Sequence, residues 1–421
     1  MNIKKILSVS LLSLTAASAF AQGGAQLKWY GFVRNYFAYD SRETVAGTED
    51  LFTYLPKDEK IVDGVDLNEV SSFRFAALTS RLGLDVSGYE IEGWKAGAKI
   101  ETDFYAGVSG VSGTAFLRLR QAYMTMGKGD VNLKIGQAWH PMAADMPDVI
   151  SLNAGAPFNP FNRSPQVLVD YKMAGGLTLS AAALWQMQYN SAGPADQSAN
   201  QSANQSANYI KYGCTPELYL GLSYKAGGFL ARAGVDMLSI KPRRFDATGA
   251  KKVSDRITTV TPYVYFQYSE GDMMIRAKST FAQAGEHLNL NGGYGVSSIN
   301  SDGSWDYTPT RNSSSWLSVR YGKKLQGVFF AGYVKNFGTA TDLAAPSMLY
   351  FSKNSFSNLN SLWRITPTVV YNLGKIQFGL EYELTSAQYG KFGLSDKSAL
   401  ATEDLHWVTN NRLQAMVRYS F

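Results

Sequence analysis

The sequence predicts an all-β protein: a transmembrane antiparallel β-barrel of about 16 strands, with short periplasmic turns and long extracellular loops. Three observations predict it. Apolar and polar residues alternate with period two in segment after segment. The gaps between segments alternate between short and long. The chain also carries 25 Tyr, 22 Phe and 8 Trp. Alternation sets one face of each strand against lipid and the other against water. The aromatic supply suffices for a belt at each membrane interface.

Three segments show the alternation most clearly. Ile376, Phe378, Leu380, Tyr382 and Leu384 are separated by Gln377, Gly379, Glu381 and Glu383. Leu177, Leu179, Ala181, Ala183, Trp185 and Met187 share one face in the same way. At the end of the chain, Leu413, Ala415, Val417, Tyr419 and Phe421 oppose Arg412, Gln414, Met416, Arg418 and Ser420. Comparable segments lie at 27–40, 71–87, 93–105, 115–126, 131–138, 165–173, 177–188 and 216–225. They continue at 228–240, 257–268, 273–282, 315–322, 326–337, 362–372, 376–386 and 410–421.

Gaps after even-numbered segments are short: 127–130, 174–176, 226–227, 269–272, 323–325 and 373–375. Gaps after odd-numbered ones are long: 41–70, 139–164, 189–215, 283–314, 338–361 and 387–409. A membrane barrel needs turns at one rim and loops at the other, and an even strand count returns both termini to the turn side. A β-sandwich or propeller predicts no such two-class spacing.

Lys4 and Lys5, the apolar run Ile6 to Leu14 and the small-residue site Ala19-Phe20-Ala21 fit a cleaved secretory signal peptide over 1–21. That leaves 22–421 as a single barrel domain, expected in the outer membrane of a Gram-negative cell, in contact with lipid and lipopolysaccharide. The apolar run is too short for a membrane anchor, which needs roughly 20 residues. No linker divides the rest into soluble domains of ordinary size. Cys214 is the single cysteine, so no internal disulfide forms, and no Cys/His spacing suggests a metal. No cofactor is expected. Net charge is +6, or +4 without Lys4 and Lys5, too mild and too evenly spread for a nucleic-acid partner. The Gln-Ser-Ala-Asn repeat within 196–208 reads as an exposed loop tolerant of insertions, with receptor or phage contact as the alternative.

Several segments carry a family resemblance. Phe73-Arg-Phe-Ala-Ala-Leu-Thr-Ser-Arg-Leu-Gly83 is followed by Ala98-Lys-Ile-Glu-Thr-Asp-Phe104 and Leu117-Arg-Leu-Arg-Gln-Ala-Tyr123. Gly136-Gln-Ala-Trp139 and Gln166-Val-Leu-Val-Asp-Tyr171 come next. In this order they resemble the DcaP-like trimeric porins over about 73–171, and only in architecture beyond. The resemblance implies a sixteen-stranded barrel, a homotrimer and small anionic solutes such as dicarboxylates. It departs from the family at the start, where only Gln22 to Gln26 precede the first strand instead of a helical extension.

The resemblance also implies that the third loop enters the pore. Residues 139–163 support this independently, with Pro141, Pro147, Pro157 and Pro160 among Met142, Met146, Ile150, Leu152, Phe158 and Phe161. A loop so apolar suits the inside of a barrel better than bulk water. Packing against a neighbouring subunit or the lipid rim is the alternative. Trp139, His140, Asp145, Asp148, Phe158 and Phe161 are its candidate constriction residues.

Pores select by width and by fixed charge. Strand parity turns Arg34, Arg81, Lys99, Arg118, Arg120, Arg320, Arg412 and Arg418 inward, and Arg74 and Arg163 join them as candidate anion-binding groups. Arg74 sits where the parity of strand two slips between Phe73-Phe75 and Leu82-Leu84-Val86, which suggests a bulge. Two outcomes are open. Arg74, Arg81, Arg118 and Arg120 form a cationic eyelet, or Arg118 and Arg120 are neutralised by Glu101 and Asp103. The functional expectation is a porin for small hydrophilic solutes favouring anions. A phosphate-type anion porin and a non-conducting structural or adhesive barrel are alternatives. A barrel enzyme is disfavoured, because His140, His287 and His406 lie in no nucleophile motif.

Overall fold

The computed structural model describes residues 24–108, 111–194, 203–246, 248–393 and 397–421. The expected signal peptide and residues 196–202 of the repeat lie outside the described residues. Sixteen strands close into an antiparallel barrel. The first eight are β1 (Gln26–Asp40), β2 (Ser72–Ala76 and Arg81–Ile91), β3 (Trp94–Val108), β4 (Val111–Lys128), β5 (Val131–Trp139), β6 (Arg163–Lys172), β7 (Leu177–Leu184) and β8 (Glu217–Ala226). Next come β9 (Phe229–Ile240), β10 (Ile257–Glu270), β11 (Met273–Gln283) and β12 (Trp305–Tyr321). The last four are β13 (Leu325–Thr339), β14 (Leu359–Leu373), β15 (Ile376–Lys391) and β16 (Glu403–Ser420).

Closure runs through β16 and β1, with Arg412 opposite Asp40 and Ser420 opposite Phe32. Beyond that register Phe421 N donates to Gly31 O at 3.1 Å, and Gly31 N donates back at 3.3 Å. No sheet edge is then left to be desolvated by lipid.

Burial is inverted relative to a water-soluble sandwich. On β10, Thr259, Thr261, Tyr263 and Tyr265 are buried, whereas Val260, Val264 and Phe266 are exposed. On β16, Arg412, Gln414 and Met416 are buried and Leu413, Val417 and Tyr419 exposed. An apolar outer surface on this scale is stable only against hydrocarbon. The tight turns sit on one rim. Between β2 and β3, Glu92 and Gly93 take φ values of 51° and 76°, the primed turn whose twist matches that of the strands.

Three departures from the sequence expectation have physical reasons. The strand-three gap is no long loop, since β3 and β4 continue as a tall hairpin to Val108 and Val111. Strand β12 starts at Trp305 and β16 at Glu403, earlier than expected, with exposed Leu405 and Trp407 continuing the outward face of β16 toward the loops. Strand β2 is interrupted at 77–80, where its parity slips. There Thr79 turns inward, and its Oγ1 accepts a 3.1 Å hydrogen bond from Arg34 Nε.

The third loop is joined in the barrel interior by the first. The third loop (140–162) enters as expected, with Met142, Ala143, Ala156 and Phe158 fully buried. The first loop (41–71) also enters, through a hairpin of Thr44–Gly47 with Phe52–Pro56. Its Leu51, Phe52, Tyr54 and Leu55 are buried, and Phe52 meets Phe161 edge-on at 4.9 Å.

The inner wall holds both loops by their backbones. Glu381 accepts the Ile150 and Ser151 amides at 2.8 and 3.0 Å. Lys278 Nζ donates to Met142 O, Asp145 O and Asn159 Oδ1 at 2.8, 2.8 and 3.0 Å. Arg364, 1% exposed, ties the loops together by donating to Ala156 O at 2.9 Å and Tyr54 O at 2.7 Å. Buried carbonyls and amides of irregular backbone need such partners.

Candidate functional site

Arginines gather where the two infolded loops meet the wall of β1, β2 and β4. The pairing of β3 with β4 shifts between Glu101 opposite Gln121 and Thr102 opposite Leu119, which leaves Arg120 as the extra residue of a β-bulge. Arg118 forks onto Asp103 with two 2.9 Å hydrogen bonds. Arg120 spans Glu101 and Asp103, at 2.7 Å to each. Arg81 approaches Glu101 at 3.5 Å. These carboxylates are almost fully buried, so the pairs are shielded from solvent screening.

Other guanidiniums lack an acidic partner. Arg34, Arg163 and Arg418 have no carboxylate within ion-pair distance among the described residues. Arg34 lies over the Phe32 and Tyr36 rings at 4.8 and 4.9 Å, and Arg418 over Phe32 at 5.6 Å. Arg163 is 1% exposed, and neither Nη1 nor Nη2 has a hydrogen-bond partner. It stacks on Trp139 at 4.6 Å and faces Phe161 at 5.6 Å.

Of these three, Arg34 borders a cavity of about 630 Å³. Arg34, Arg81, Arg118 and Arg120 line one side with Asp103. Phe52 and Tyr54 come from the first loop, Trp139 from the end of β5, and Ile150, Leu152 and Phe161 from the third loop. Tyr105 and Tyr189 complete an aromatic flank, the latter 3.1 Å from the Tyr54 hydroxyl. Arg118 and Arg120 are paired with Asp103 and Glu101, and Arg74 does not join Arg81, Arg118 and Arg120 around this cavity.

The other expected lining residues lie elsewhere. Arg74 shares the inward parity of its partner Ala38, but its guanidinium is half exposed and bound to Asp50 at 2.7 Å. It borders a separate cleft with Glu49 and Phe104, at the break in β2. Arg412 is fully buried, held by Asp40 at 2.8 Å and donating to Asp50 O at 3.0 Å. It anchors the first loop instead of facing solute. Lys99 pairs with Asp85 at 2.9 Å, next to Tyr30.

Acidic residues of the third loop are likewise engaged. Arg320 and Arg276 reach Asp148 at 3.3 and 3.1 Å, and Arg232 reaches Asp145 at 3.2 Å. Phe158 is buried against Phe330, and His140 is buried away from the cavity. Sequence reasoning missed Phe52, Tyr54, Tyr105 and Tyr189. The run Leu51-Phe52-Thr53-Tyr54-Leu55, flanked by Glu49-Asp50 and Lys57-Asp58-Glu59-Lys60, is the signal that could have found the first two.

Solved structures place this architecture. The outer membrane channel DcaP of Acinetobacter baumannii aligns over 95% of this chain and 99% of its own, with 21% identity and a TM-score of 0.68. An anion-selective porin from Comamonas acidovorans aligns over 94% and 100%, with 13% identity and a TM-score of 0.53. The trimer form of OmpT from Vibrio cholerae aligns over 94% and 100%, with 11% identity and a TM-score of 0.53. No protein-family model and no curated protein matches the sequence. The closed sixteen-stranded barrel with loops folded into its lumen is the fold of the outer-membrane porins.

Proposed function

We propose that this chain is a passive outer-membrane channel for small hydrophilic solutes that favours anions such as dicarboxylates. The observation that carries the reading is Arg34, which lines a cavity between two infolded loops, stands opposite Arg418, and has no carboxylate partner among the described residues. A desolvated guanidinium without an acid is costly, and a passing carboxylate or phosphate relieves that cost. The anion-selective porin from Comamonas acidovorans shares the fold and supports the reading by likeness.

Dicarboxylates are preferred over phosphate because Phe52, Tyr54, Trp139 and Phe161 give the cavity an apolar flank opposite its arginines. A carbon skeleton between two carboxylates matches both sides. We also infer a homotrimer, by likeness to the trimer form of the Vibrio protein. Its candidate contact is the outward patch of Phe73, Phe75, Phe116 and Leu117, where Phe75 stacks on Phe37 at 4.3 Å.

The test is block of chloride current through single channels in planar bilayers. Succinate is expected to interrupt the current at lower concentration than phosphate. Stronger block by phosphate would move the reading to a phosphate-type porin, and absence of conductance would remove the channel altogether.

A further inference from the structure

Away from the eyelet, two histidines and two carboxylates from four separate segments meet in a fully buried cluster. His140 opens the third loop, Glu217 opens β8, Asp236 lies on β9, and His287 lies in the loop after β11. Their exposures are 0, 0, 1 and 0%. His140 Nε2 lies 2.8 Å from Glu217 Oε1 and 3.6 Å from Asp236 Oδ1. His287 Nε2 lies 3.2 Å from Asp236 Oδ2 and 3.7 Å from Glu217 Oε1. We propose that this cluster is a structural site for one Zn²⁺ ion, liganded by His140, His287, Glu217 and Asp236.

Geometry supports this first. A tetrahedral site with bonds of roughly 2.0–2.2 Å places its donor atoms about 3.3–3.6 Å from one another. The four nitrogen–oxygen separations run from 2.8 to 3.7 Å; His140, Glu217 and Asp236 offer donors all within 4.8 Å of one another, and His287 completes the set by moving inward as the ion enters. Two imidazoles with two carboxylates form a donor set suited to zinc. Calcium and magnesium, which take six or more oxygens, fit it poorly.

Charge supports it independently. Neither carboxylate has a lysine or arginine within ion-pair distance among the described residues. Glu217 Oε2 and Asp236 Oδ1 are buried without a hydrogen-bond partner. His140 Nδ1 accepts the Met142 amide at 3.1 Å, which turns Nε2 toward the carboxylates. Two carboxylates are thus buried together with the two imidazoles as their nearest basic groups. A divalent cation balances them.

The two rings are prepared unequally. His287 Nδ1 is 3.2 Å from Ala284 O, the outer hydrogen bond that leaves Nε2 free to ligate. His140 must shift its proton from Nε2 to Nδ1 and give up the Met142 amide when the ion enters. Loading is thereby coupled to the first residues of the third loop. With four protein ligands, no coordination position is left for substrate, so the ion acts as a clasp between that loop, β8, β9 and the loop after β11.

The test uses the folded full-length barrel in detergent, stripped with a chelator and titrated with Co²⁺, then Zn²⁺. One Co²⁺ per chain with the intense visible bands of a four-coordinate ion is expected, displaced by one Zn²⁺. His287→Gln and Asp236→Asn, each checked for barrel folding by heat-modifiable gel mobility, should weaken binding by about 100-fold or more. X-ray absorption of the zinc-loaded wild type should show imidazole scattering and a nitrogen/oxygen shell at roughly 2.0–2.2 Å. Absence of stoichiometric binding, an all-oxygen shell, or undiminished binding by folded His287→Gln overturns the proposal.

Discussion

Arg34 and Arg418 stand directly opposite each other on β1 and β16, across the seam that closes the barrel, and neither meets a carboxylate among the described residues. Two like charges in register repel unless something between them or beside them is negative. Here the flanking groups are the Phe32 and Tyr36 rings, whose π faces offset only part of that repulsion. Under the proposed anion preference, this pair is where the passing anion is held. Replacing both arginines with glutamine should lower the chloride-to-potassium permeability ratio by at least about twofold, without unfolding the barrel. Bilayer recordings of the double variant check this; an unchanged ratio places the selectivity elsewhere.

Asp103 does the opposite work. It takes two hydrogen bonds from Arg118 and one from Arg120, with 2% of its side chain exposed. Asp103→Asn should release positive charge toward the cavity and raise anion preference. Removing one partner of a buried pair should also cost about 3–5 kcal/mol in stability. Paired measurements of reversal potential and thermal unfolding should move in these two directions together.

How much of this was legible in the sequence differs from element to element. The Leu413 to Phe421 alternation was enough for the last strand, because lipid and lumen impose opposite polarities on successive side chains. Strand parity correctly turned Arg34, Arg118 and Arg412 away from lipid. It could not tell that Arg118 meets solute space while Arg412 is covered by the first loop, since covering depends on a hairpin distant in sequence. The bulge that aims Arg120 at two acids is likewise a matter of strand register, and the residue order of β4 does not reveal it. His140 and His287 carried no recognisable spacing, because β8 and β9 bring their carboxylate partners from between them in the chain.

Arg364 should act as a joint between the two infolded loops. Besides Ala156 O and Tyr54 O, it reaches Thr385 Oγ1 at 2.8 Å and Glu383 at 3.3 Å. Arg364→Met keeps the volume but orphans those carbonyls and the acid. Single-channel conductance is expected to rise and become noisier as both loops loosen. A quiet channel of unchanged conductance would show that the loops hold without it.

Acid should open the outer part of the first loop. Burial alone raises the Asp66 carboxyl, but the Lys60 and Asn68 amides and Arg42 outweigh it and hold it below the usual carboxylate range. A depressed carboxyl contributes stability above its unfolded pKa of about 3.9, and that contribution is lost as pH falls through the lower folded value. Hydrogen exchange at Lys60 and Asn68, corrected for intrinsic rates, should show constant protection from neutrality to about pH 4 and loss below it. Protection already lost between pH 7 and 5 would contradict this assignment.

The central claim is a net positive eyelet, and the reversal potential of the wild-type channel in a potassium chloride gradient tests it most directly. A potential of the sign set by chloride flux is predicted, shrinking as salt screens the arginines. A potential of the sign set by potassium flux would contradict it.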